Sequence, residues 1–395
     1  TIELCLPKGT WNTQKFPEKF AGLQLKAFAN PNNKGNNNNF RVEEEEIPEE
    51  YLIITPSKFV NTLAPLVELR TQEGLLVTIK TIDEIKRELA WIKLINADKL
   101  HEFLKLYYNK QPCLSYVLLV GDVEFIPVKY KDGDGTDFYY SLLDDLGDLL
   151  PDIYLGRFPV NNNNELSAII EKIIAYERMK PSKNIILASY FQDAGLDGIS
   201  DRNYVYINEL FRNHLIKRQY NCKRVYTKTP GSDPKYYSDK TPVPKDINFD
   251  GTTRDVINSI NTGVAIVNHR DHGDPRGWSN PSFKIDDIRQ LWNKRYPILF
   301  SVDCSTGKFD IETEKEQNEK EGTPVTASNE SFCEKLLCAR NKGMVGIIAP
   351  SRTTIRKLNN VFNKGLMGAI WPNMFKSFDS QASRLGQVLD RKSVV

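Results

Sequence analysis

Two apolar stretches of the sequence each lead to a side chain that can do nucleophilic or acid–base chemistry. Val264-Ala-Ile-Val-Asn leads to His272, and Pro297-Ile-Leu-Phe-Ser-Val leads to Cys304. A thiol attacks as its thiolate and a histidine can take the proton, so these residue types match a nucleophilic cysteine site. The backbone N–H groups of Gly273 and Cys304 are then candidates to bind the developing oxyanion.

Both stretches have the β-branched, apolar composition of strands buried in a parallel sheet. Between them, residues 285–294 carry apolar side chains at helical spacing, which predicts a strand–helix–strand unit whose strands are adjacent or nearly so. The carboxyl ends of parallel strands share the edge of a sheet at which open α/β folds hold their sites. His272 and Cys304 are therefore predicted to lie at one edge.

The same residues leave two other interpretations open. His269, His272 and Cys304, with Asp271 and Asp274 nearby, are all residue types that bind zinc. Side chains three apart on a strand face opposite sides, however, so the two histidines converge only if the chain has already turned. In the other interpretation, His272 is a plain loop residue and the Cys304 thiol is packed in the core.

The remaining cysteines are expected to be structural. Their spacing is wide and unpatterned, so it predicts no disulfide framework, and no Cys-x-x-Cys pair suggests a zinc site. A free cysteine usually behaves as a small apolar side chain. The five are Cys5, Cys113, Cys222, Cys333 and Cys338.

The composition excludes several classes of function. The chain has 395 residues, 40% of them hydrophobic, which is enough for packed cores in two domains or subdomains. It carries 53 basic and 51 acidic residues, so its charge does not suggest a nucleic acid or an anionic membrane as partner. The sequence contains no run of about 20 apolar residues, so it predicts no insertion into a membrane.

The order of segments predicts an α/β fold in two units. Residues 1–50 are rich in asparagine and glutamate and are expected to form short β segments and loops, or a pro-like segment. Strands and helices then alternate through 51–182 and again through 183–372, a pattern typical of mostly parallel sheets covered by helices. Residues 373–395 are expected to be a tail.

Five blocks in this order resemble the gingipain family of cysteine peptidases, over about Tyr51 to Gly386. The resemblance implies a caspase-like fold of two adjacent α/β subdomains, a protein or peptide substrate, and a secreted or cell-surface location. It also implies an immunoglobulin-like module beyond the end of this chain. The blocks are Tyr116-Val-Leu-Leu-Val-Gly-Asp, Asp152-Ile-Tyr-Leu-Gly-Arg-Phe-Pro, Val267-Asn-His-Arg-Asp-His-Gly-Asp, Val302-Asp-Cys-Ser-Thr-Gly and Lys342-Gly-Met-Val-Gly-Ile-Ile-Ala.

The resemblance also implies roles for individual residues. Cys304 matches the nucleophile of the family and His272 its general base and acid, with the N–H groups of Gly273 and Cys304 as the oxyanion donors. Asp152 matches the carboxylate that orients the histidine, although an aspartate capping a strand is the simpler interpretation. Trp278 is similar to the wall of a substrate pocket, and packing is the alternative.

Gingipains cut after arginine or lysine, which implies an acidic pocket, and Asp274, Asp303 and the acidic segment 310–321 are candidates to supply it. The chain also departs from the family. Asp271 stands where the family usually has glycine, and Asp303 stands where it usually has alanine. A catalytically weak module with a binding, assembly or transpeptidase (sortase-like) role is therefore the alternative to an endopeptidase.

The resemblance implies no required cofactor. The acidic run Asp132-Gly-Asp134-Gly-Thr-Asp137 resembles a calcium-binding loop, but Leu143 stands at the twelfth position, where such loops place a carboxylate. A surface turn is the interpretation that the sequence favours. A structural calcium ion stays open because secreted relatives often bind calcium.

Overall fold

The computed structural model describes residues 48–90, 92–131, 133–144, 150–311, 330–375, 381–382 and 384–391. The segment predicted for residues 1–50 lies almost entirely outside this part of the chain, as does most of the acidic segment 310–321.

The first half of the described chain forms a four-stranded parallel sheet with the order β2-β1-β3-β6. A 3-10 helix, Ser57–Leu63, precedes α1, and the two-stranded antiparallel hairpin of β4 and β5 lies between β3 and β6. The elements are β1 (Glu50–Thr55), α1 (Ala64–Gln72), β2 (Leu76–Thr81), α2 (Ile82–Glu88), α3 (Ala97–Lys110), β3 (Leu114–Val120), β4 (Lys129–Lys131), β5 (Asp134–Thr136), β6 (Tyr154–Phe158) and α4 (Asn163–Arg178).

The second half forms a five-stranded parallel sheet with the order β14-β13-β9-β7-β8, and β10 to β12 form a small antiparallel sheet beside it. The elements are β7 (Asn184–Phe191), α5 (Tyr204–Ile216), β8 (Asn221–Lys228), α6 (Thr253–Asn261), β9 (Ile266–Arg270), β10 (Gly273–Asp274), β11 (Gly277–Trp278), β12 (Phe283–Lys284), β13 (Ile298–Val302), α7 (Phe332–Cys338), β14 (Gly346–Ile348), α8 (Arg356–Ile370) and α9 (Leu385–Arg391).

Each sheet is buried on both faces, which explains why its strands read as continuous apolar runs. In β3, Val117 and Leu119 belong to the core on one face, while Leu118 and Val120 belong to the core on the other. The second sheet is packed between two cores in the same way. Helices must cover both faces of such sheets, as the alternating pattern predicted.

Three of the helices begin at a capping box. Thr81 and Glu84 form a capping box at α2, Thr252 and Asp255 form one at α6, and Ser331 and Glu334 form one at α7. In each box the side chains satisfy backbone N–H groups that the first helical turn leaves unpaired. The sequence analysis did not predict α2.

The two sheets lie next to each other, and α9 bridges their edge strands. A Cβ on Gly386 would lie 2.8 Å from Cβ of Tyr154 in β6, and a Cβ on Gly346 in β14 would lie 2.9 Å from Leu385. On the other side, Lys172 of α4 donates hydrogen bonds to the carbonyls of Leu336 (3.3 Å) and Leu337 (2.5 Å) in α7. The domain boundaries drawn from the sequence stay predictions.

Two local expectations were wrong. The predicted helix over 285–294 is only a 3-10 helix, Ile285–Gln290, and the small sheet of β10 to β12 precedes it. Cys113 is not a free thiol but is disulfide-bonded, with its partner outside the described residues. Spacing could not reveal this bond because the two halves of a single disulfide need no sequence pattern.

Candidate active site

The pairing of β9 with β13 places His272 and Cys304 at the same edge of the second sheet. The two strands are parallel, and their register ends with Val302 opposite Arg270. His272 and Cys304 each follow these residues by two positions. Adjacent strands lie about 4.8 Å apart, so the chain delivers both residues to neighbouring points, as the sequence predicted.

A tight turn presents the half-buried Cys304 beyond β13. Ser305, the next residue, has a φ of 55°, a left-handed conformation that is uncommon for non-glycine residues. The Cys304 Sγ lies 3.4 Å from Thr354 Oγ1. Thr354 donates to the Asp303 carbonyl (2.5 Å), and Asn359 Nδ2 donates to the same carbonyl (3.1 Å). These bonds fix the turn that carries the thiol.

His272 is held by a residue that the sequence analysis missed. Its Nε2 lies 3.0 Å from Gln192 Oε1, and its ring packs edge-on against Tyr204, with the ring centroids 5.6 Å apart. A carbonyl oxygen only accepts hydrogen bonds, so Nε2 carries the proton and Nδ1 of the neutral ring keeps its lone pair. The first residue after β7 is Gln192, and β7 is the other neighbour of β9.

The surroundings keep His272 neutral. Burial lowers its pKa below the usual value, and the positive charges of Arg202, Arg270 and Arg356 lower it further. A histidine with a lowered pKa holds its lone pair at neutral pH and can take a proton from a thiol. Arg270 also interacts electrostatically with Cys304.

Arg270 is one of these cations, and it is almost completely buried at the end of β9. Its guanidinium lies 4.4 Å from the centroid of the Tyr204 ring. It donates to the carbonyl of Val302 (3.1 Å), to the side chain of Asn360 (2.9 Å) and to the carbonyl of Arg356 (3.1 Å). Arg270 therefore ties the ends of β9 and β13 to the start of α8.

Asp303 lies next to the thiol in sequence but faces away from it, as strand alternation predicted. Its carboxylate accepts hydrogen bonds from His269 Nδ1 (2.9 Å), the Ser301 hydroxyl (2.7 Å) and the Thr306 hydroxyl (2.7 Å), all buried. Burial lowers the pKa of His269, although Asp303 acts in the opposite direction. The Asp303 carboxylate is therefore occupied by structural contacts.

Trp278 is not a pocket wall. Its side chain is fully buried, its ring stacks on His269 at 4.1 Å, and its Nε1–H donates to Ser301 Oγ (2.8 Å). Phe283 and Phe332 pack edge-on against it. These contacts support the packing alternative for this residue.

Asp152 contacts the backbone of the loop before β6. Its Oδ2 accepts hydrogen bonds from the backbone N–H groups of Leu143 (2.6 Å) and Asp144 (2.9 Å), and its own N–H donates to the Ser141 carbonyl (2.8 Å). These contacts fit an aspartate that caps a loop before β6. An orienting role for Asp152 stays a prediction.

Asp271 and Gly273, which flank His272, are tightly packed. Asp271 is buried, and the backbone N–H groups of His272 and Asn280 lie near its carboxylate. Burial raises the pKa of Asp271 well above the usual value, although the backbone N–H groups of His272 and Asn280 and the charge of Arg270 act in the opposite direction. A Cβ on Gly273 would lie 2.7 Å from Thr306 Cγ2 and 2.9 Å from Asp303 Cγ. Only glycine fits this approach.

The other acidic candidates are also paired. Burial would raise the pKa of Asp274, but a hydrogen bond from the Lys284 ammonium (3.1 Å) and the nearby Arg276 hold it below the usual value. Asp310 is fully buried and contacts the guanidinium of Arg352. None of the described carboxylates proposed for an acidic pocket is therefore unpaired.

Within the described ranges, no group of three histidine, cysteine or carboxylate side chains could hold a metal ion. His269 contacts Asp303 while His272 contacts Gln192, so the zinc interpretation gains no support. In the calcium-like run, Asp134 and Asp137 are paired with Arg352 and Arg157, and Asp132 lies outside the described residues. Two of the carboxylates that calcium would need are thus neutralised by arginines.

The other described free cysteines are poor nucleophiles. Burial raises the pKa of Cys222 to about 11 and raises the pKa of Cys333 and Cys338 above the usual value. Because the thiolate is the reactive form, these thiols should react slowly at neutral pH. Cys304 follows a strand that is parallel and adjacent to the strand leading to His272, and the charge of Arg270 interacts with it.

Comparison with known proteins shows the family of this chain. The model of peptidase family C25 matches residues 44–393. The chain belongs to peptidase family C25. Gingipain R2 of Porphyromonas gingivalis is 26% identical over 265 residues, which is 65% of this chain and 32% of that protein. Lys-gingipain of the same organism is 27% identical over 270 residues, 67% of this chain and 14% of that protein.

The fold of this C25 family member is that of a solved gingipain. The crystal structure of the Arg specific cysteine proteinase gingipain R matches with a TM-score of 0.69 at 21% identity, covering 89% of this chain and 73% of that one. The resemblance to gingipains and the caspase-like α/β fold are thus confirmed. The chain spans about a third of the length of Gingipain R2 and less of Lys-gingipain. No helix in the described part of the chain is long and apolar enough to cross a bilayer.

Proposed function

We propose that the protein is a cysteine endopeptidase in which Cys304 is the nucleophile and His272 is the general base and acid. The observation that carries the proposal is the shared edge of β7, β9 and β13, where Gln192, His272 and Cys304 follow three adjacent parallel strands. Membership of peptidase family C25 supports the same reaction.

In the proposed reaction, Nδ1 of His272 takes the proton of the Cys304 thiol, and the thiolate attacks the carbonyl carbon of the substrate. The backbone N–H groups of Gly273 and Cys304 are the proposed donors to the oxyanion. The imidazolium then gives its proton to the departing amine, which leaves a thioacyl-enzyme. Water, deprotonated by His272, attacks the thioester and releases the acid product and the free thiol.

We propose Gln192, rather than Asp152, as the residue that orients His272 in this chain. Its amide oxygen is within hydrogen-bond distance of Nε2, whereas the Asp152 carboxylate is engaged by the 143–144 backbone. An amide can fix the tautomer without adding a negative charge beside the base. Gln192→Ala should therefore lower kcat with little effect on KM, and Asp152→Asn should have a smaller effect.

The test is hydrolysis of a diverse peptide mixture, followed by mass spectrometry of the products. We expect cleavage by the parent protein, a loss of at least about 1,000-fold in Cys304→Ala and His272→Ala, and unchanged folding of both variants. Cys222→Ala is the matched control because its thiol is buried away from the site. Cleavage that survives in Cys304→Ala would overturn the proposal.

The same mixture separates the alternatives. Added amine acceptors that appear in the products would indicate a transpeptidase, and peptide binding without any turnover would indicate a binding or assembly module. No described contact favours the inactive module, since the Asp303 carboxylate faces His269 instead of the thiol.

A basic P1 residue, on the acyl side of the cleaved bond, was the specificity expected from the resemblance. An acidic pocket would support it, but Asp274, Asp303 and Asp310 are all paired. A secreted or surface location also belongs to the proposal, and the disulfide of Cys113 supports it because such bonds persist in oxidising compartments. Alkylation of the protein from its natural host, with and without reductant, tests that location.

A further inference from the structure

A cavity of about 550 Å³ lies between the two sheets at the edge that carries Cys304. Its size is within the range of pockets that enclose a ligand group. One wall comes from β6 and the segment before it, and the opposite wall comes from β13, β14 and the start of α8. Both halves of the molecule therefore contribute to it.

The cavity adjoins the proposed nucleophile through Thr354. This residue lines the cavity, and its Oγ1 lies 3.4 Å from Cys304 Sγ. Asn359 lines the same wall and holds Thr354 with a 2.6 Å hydrogen bond. The carbonyl that a thiolate attacks belongs to the P1 residue, so the P1 side chain is the part of a substrate that lies closest to this wall.

The lining is mostly apolar. Phe138, which is 41% exposed, lies at the wall from the first half, and Phe362 lies at the wall from α8. Aliphatic side chains line the rest of these walls, namely those of Ile153, Leu155, Ile347 and Ile348. Such a surface gains free energy when it removes an apolar side chain from water.

The charged groups of the lining are already paired. Asp137 accepts hydrogen bonds from Arg157 through both oxygens, at 2.6 and 2.8 Å, and the Arg157 guanidinium also donates to the Gly121 and Ile126 carbonyls. The remaining carboxylate is that of Asp303, which His269 engages. A cationic P1 side chain would meet no unpaired carboxylate among the described lining residues.

We propose that this cavity is the P1 pocket and that it selects large uncharged apolar side chains, such as those of leucine, methionine and phenylalanine, over arginine and lysine. The inference rests on the proposed peptidase function and assigns its specificity. Phe138 is the specificity-determining residue at the wall of the pocket. It is exposed enough to be replaced without disturbing a core.

The test compares fluorogenic peptides that differ only at P1, with leucine, phenylalanine, arginine or lysine. We expect the parent protein to give a kcat/KM at least about tenfold higher for leucine or phenylalanine than for the basic residues. Phe138→Glu would add a carboxylate to the wall, and we expect it to move the preference toward lysine and arginine. Phe138→Leu is the matched control and should keep the apolar preference.

Two results would overturn the inference. The first is a higher kcat/KM for arginine or lysine in the parent protein, and the second is an unchanged P1 preference in a folded Phe138→Glu variant. Both leave the peptidase itself standing, because cleavage still depends on Cys304. Failure of the proposed function would look different, since none of the four peptides would be cleaved and Cys304→Ala would change nothing.

Discussion

The buried contact between His269 and Asp303 predicts a large loss of stability when Asp303 is replaced by alanine. Alanine is the residue that the gingipain resemblance places at this position, so the change restores the family residue and yet should be harmful here. Both side chains are fully buried, and 2.9 Å separates His269 Nδ1 from Asp303 Oδ2. The expected loss comes from the buried hydrogen-bond donors that would lose the Asp303 carboxylate as their acceptor.

Three buried donors hydrogen-bond the Asp303 carboxylate: the His269 ring N–H and the hydroxyls of Ser301 and Thr306. A hydrogen bond to a charged group contributes about 1.5–3 kcal/mol, and a buried donor left unpaired costs about 1–3 kcal/mol. The Thr306 hydroxyl keeps Ser301 Oγ as a second acceptor at 3.1 Å, which limits its loss. Asp303→Ala should therefore lower the free energy of unfolding by about 3–5 kcal/mol, because at least two buried donors lose their acceptor.

The assay is urea unfolding followed by tryptophan fluorescence, since Trp278 stacks on His269 and reports on this region. Asp274→Ala is the matched control, because its pair with Lys284 is partly exposed and should contribute no more than about 1 kcal/mol. A loss below about 1 kcal/mol for Asp303→Ala would refute the reasoning.

Three further predictions concern charge and space. Arg356→Gln should move the acid limb of the pH profile of kcat/KM to higher pH, because Arg356 is one of the cations that lower the pKa of His272. Lys357→Gln is the control, and identical pH profiles of Arg356→Gln and the parent protein would refute the effect. Burial lowers the pKa of Lys172 to about 7, so between about pH 7 and 10.4 the unfolded chain holds a proton that the folded chain has released. The free energy of unfolding should therefore rise with pH over this range by up to about 4 kcal/mol. Lys172→Met should flatten this rise in urea titrations, and an unchanged dependence of the free energy of unfolding on pH would count against the prediction. Gly273→Ala should lower kcat about 100-fold because its Cβ would clash with neighbouring side chains, and near-normal turnover would contradict this packing.

The sequence predicted those features of the site that depend on one strand at a time. His272 and Cys304 each follow an apolar run, and the two strands proved adjacent and parallel although the predicted helix between them did not form. Alternation along β13 also predicted that Asp303 faces away from the thiol. Periodicity specifies which face of a strand a residue takes, and this information is local.

Features that depend on strand order could not be predicted. Gln192 reaches His272 because β7 lies beside β9, although β8 comes between them in the chain, and no residue pattern encodes that neighbour. The resemblance gave Trp278, six residues after His272, the role of a pocket wall. The small antiparallel sheet instead directs its side chain toward the core. The apolar cavity is likewise formed by both halves of the chain, which only the folded structure brings together.

The most direct test of the proposed chemistry is intact-protein mass spectrometry after treatment with peptidyl chloromethyl ketones that carry leucine, phenylalanine, arginine or lysine at P1. An activated Cys304 thiolate predicts one stoichiometric adduct with at least one of these reagents, peptide mapping to Cys304, and no adduct in Cys304→Ala. Absence of an adduct with all four reagents on the folded parent protein, or equal labelling of Cys304→Ala, would contradict a catalytic Cys304.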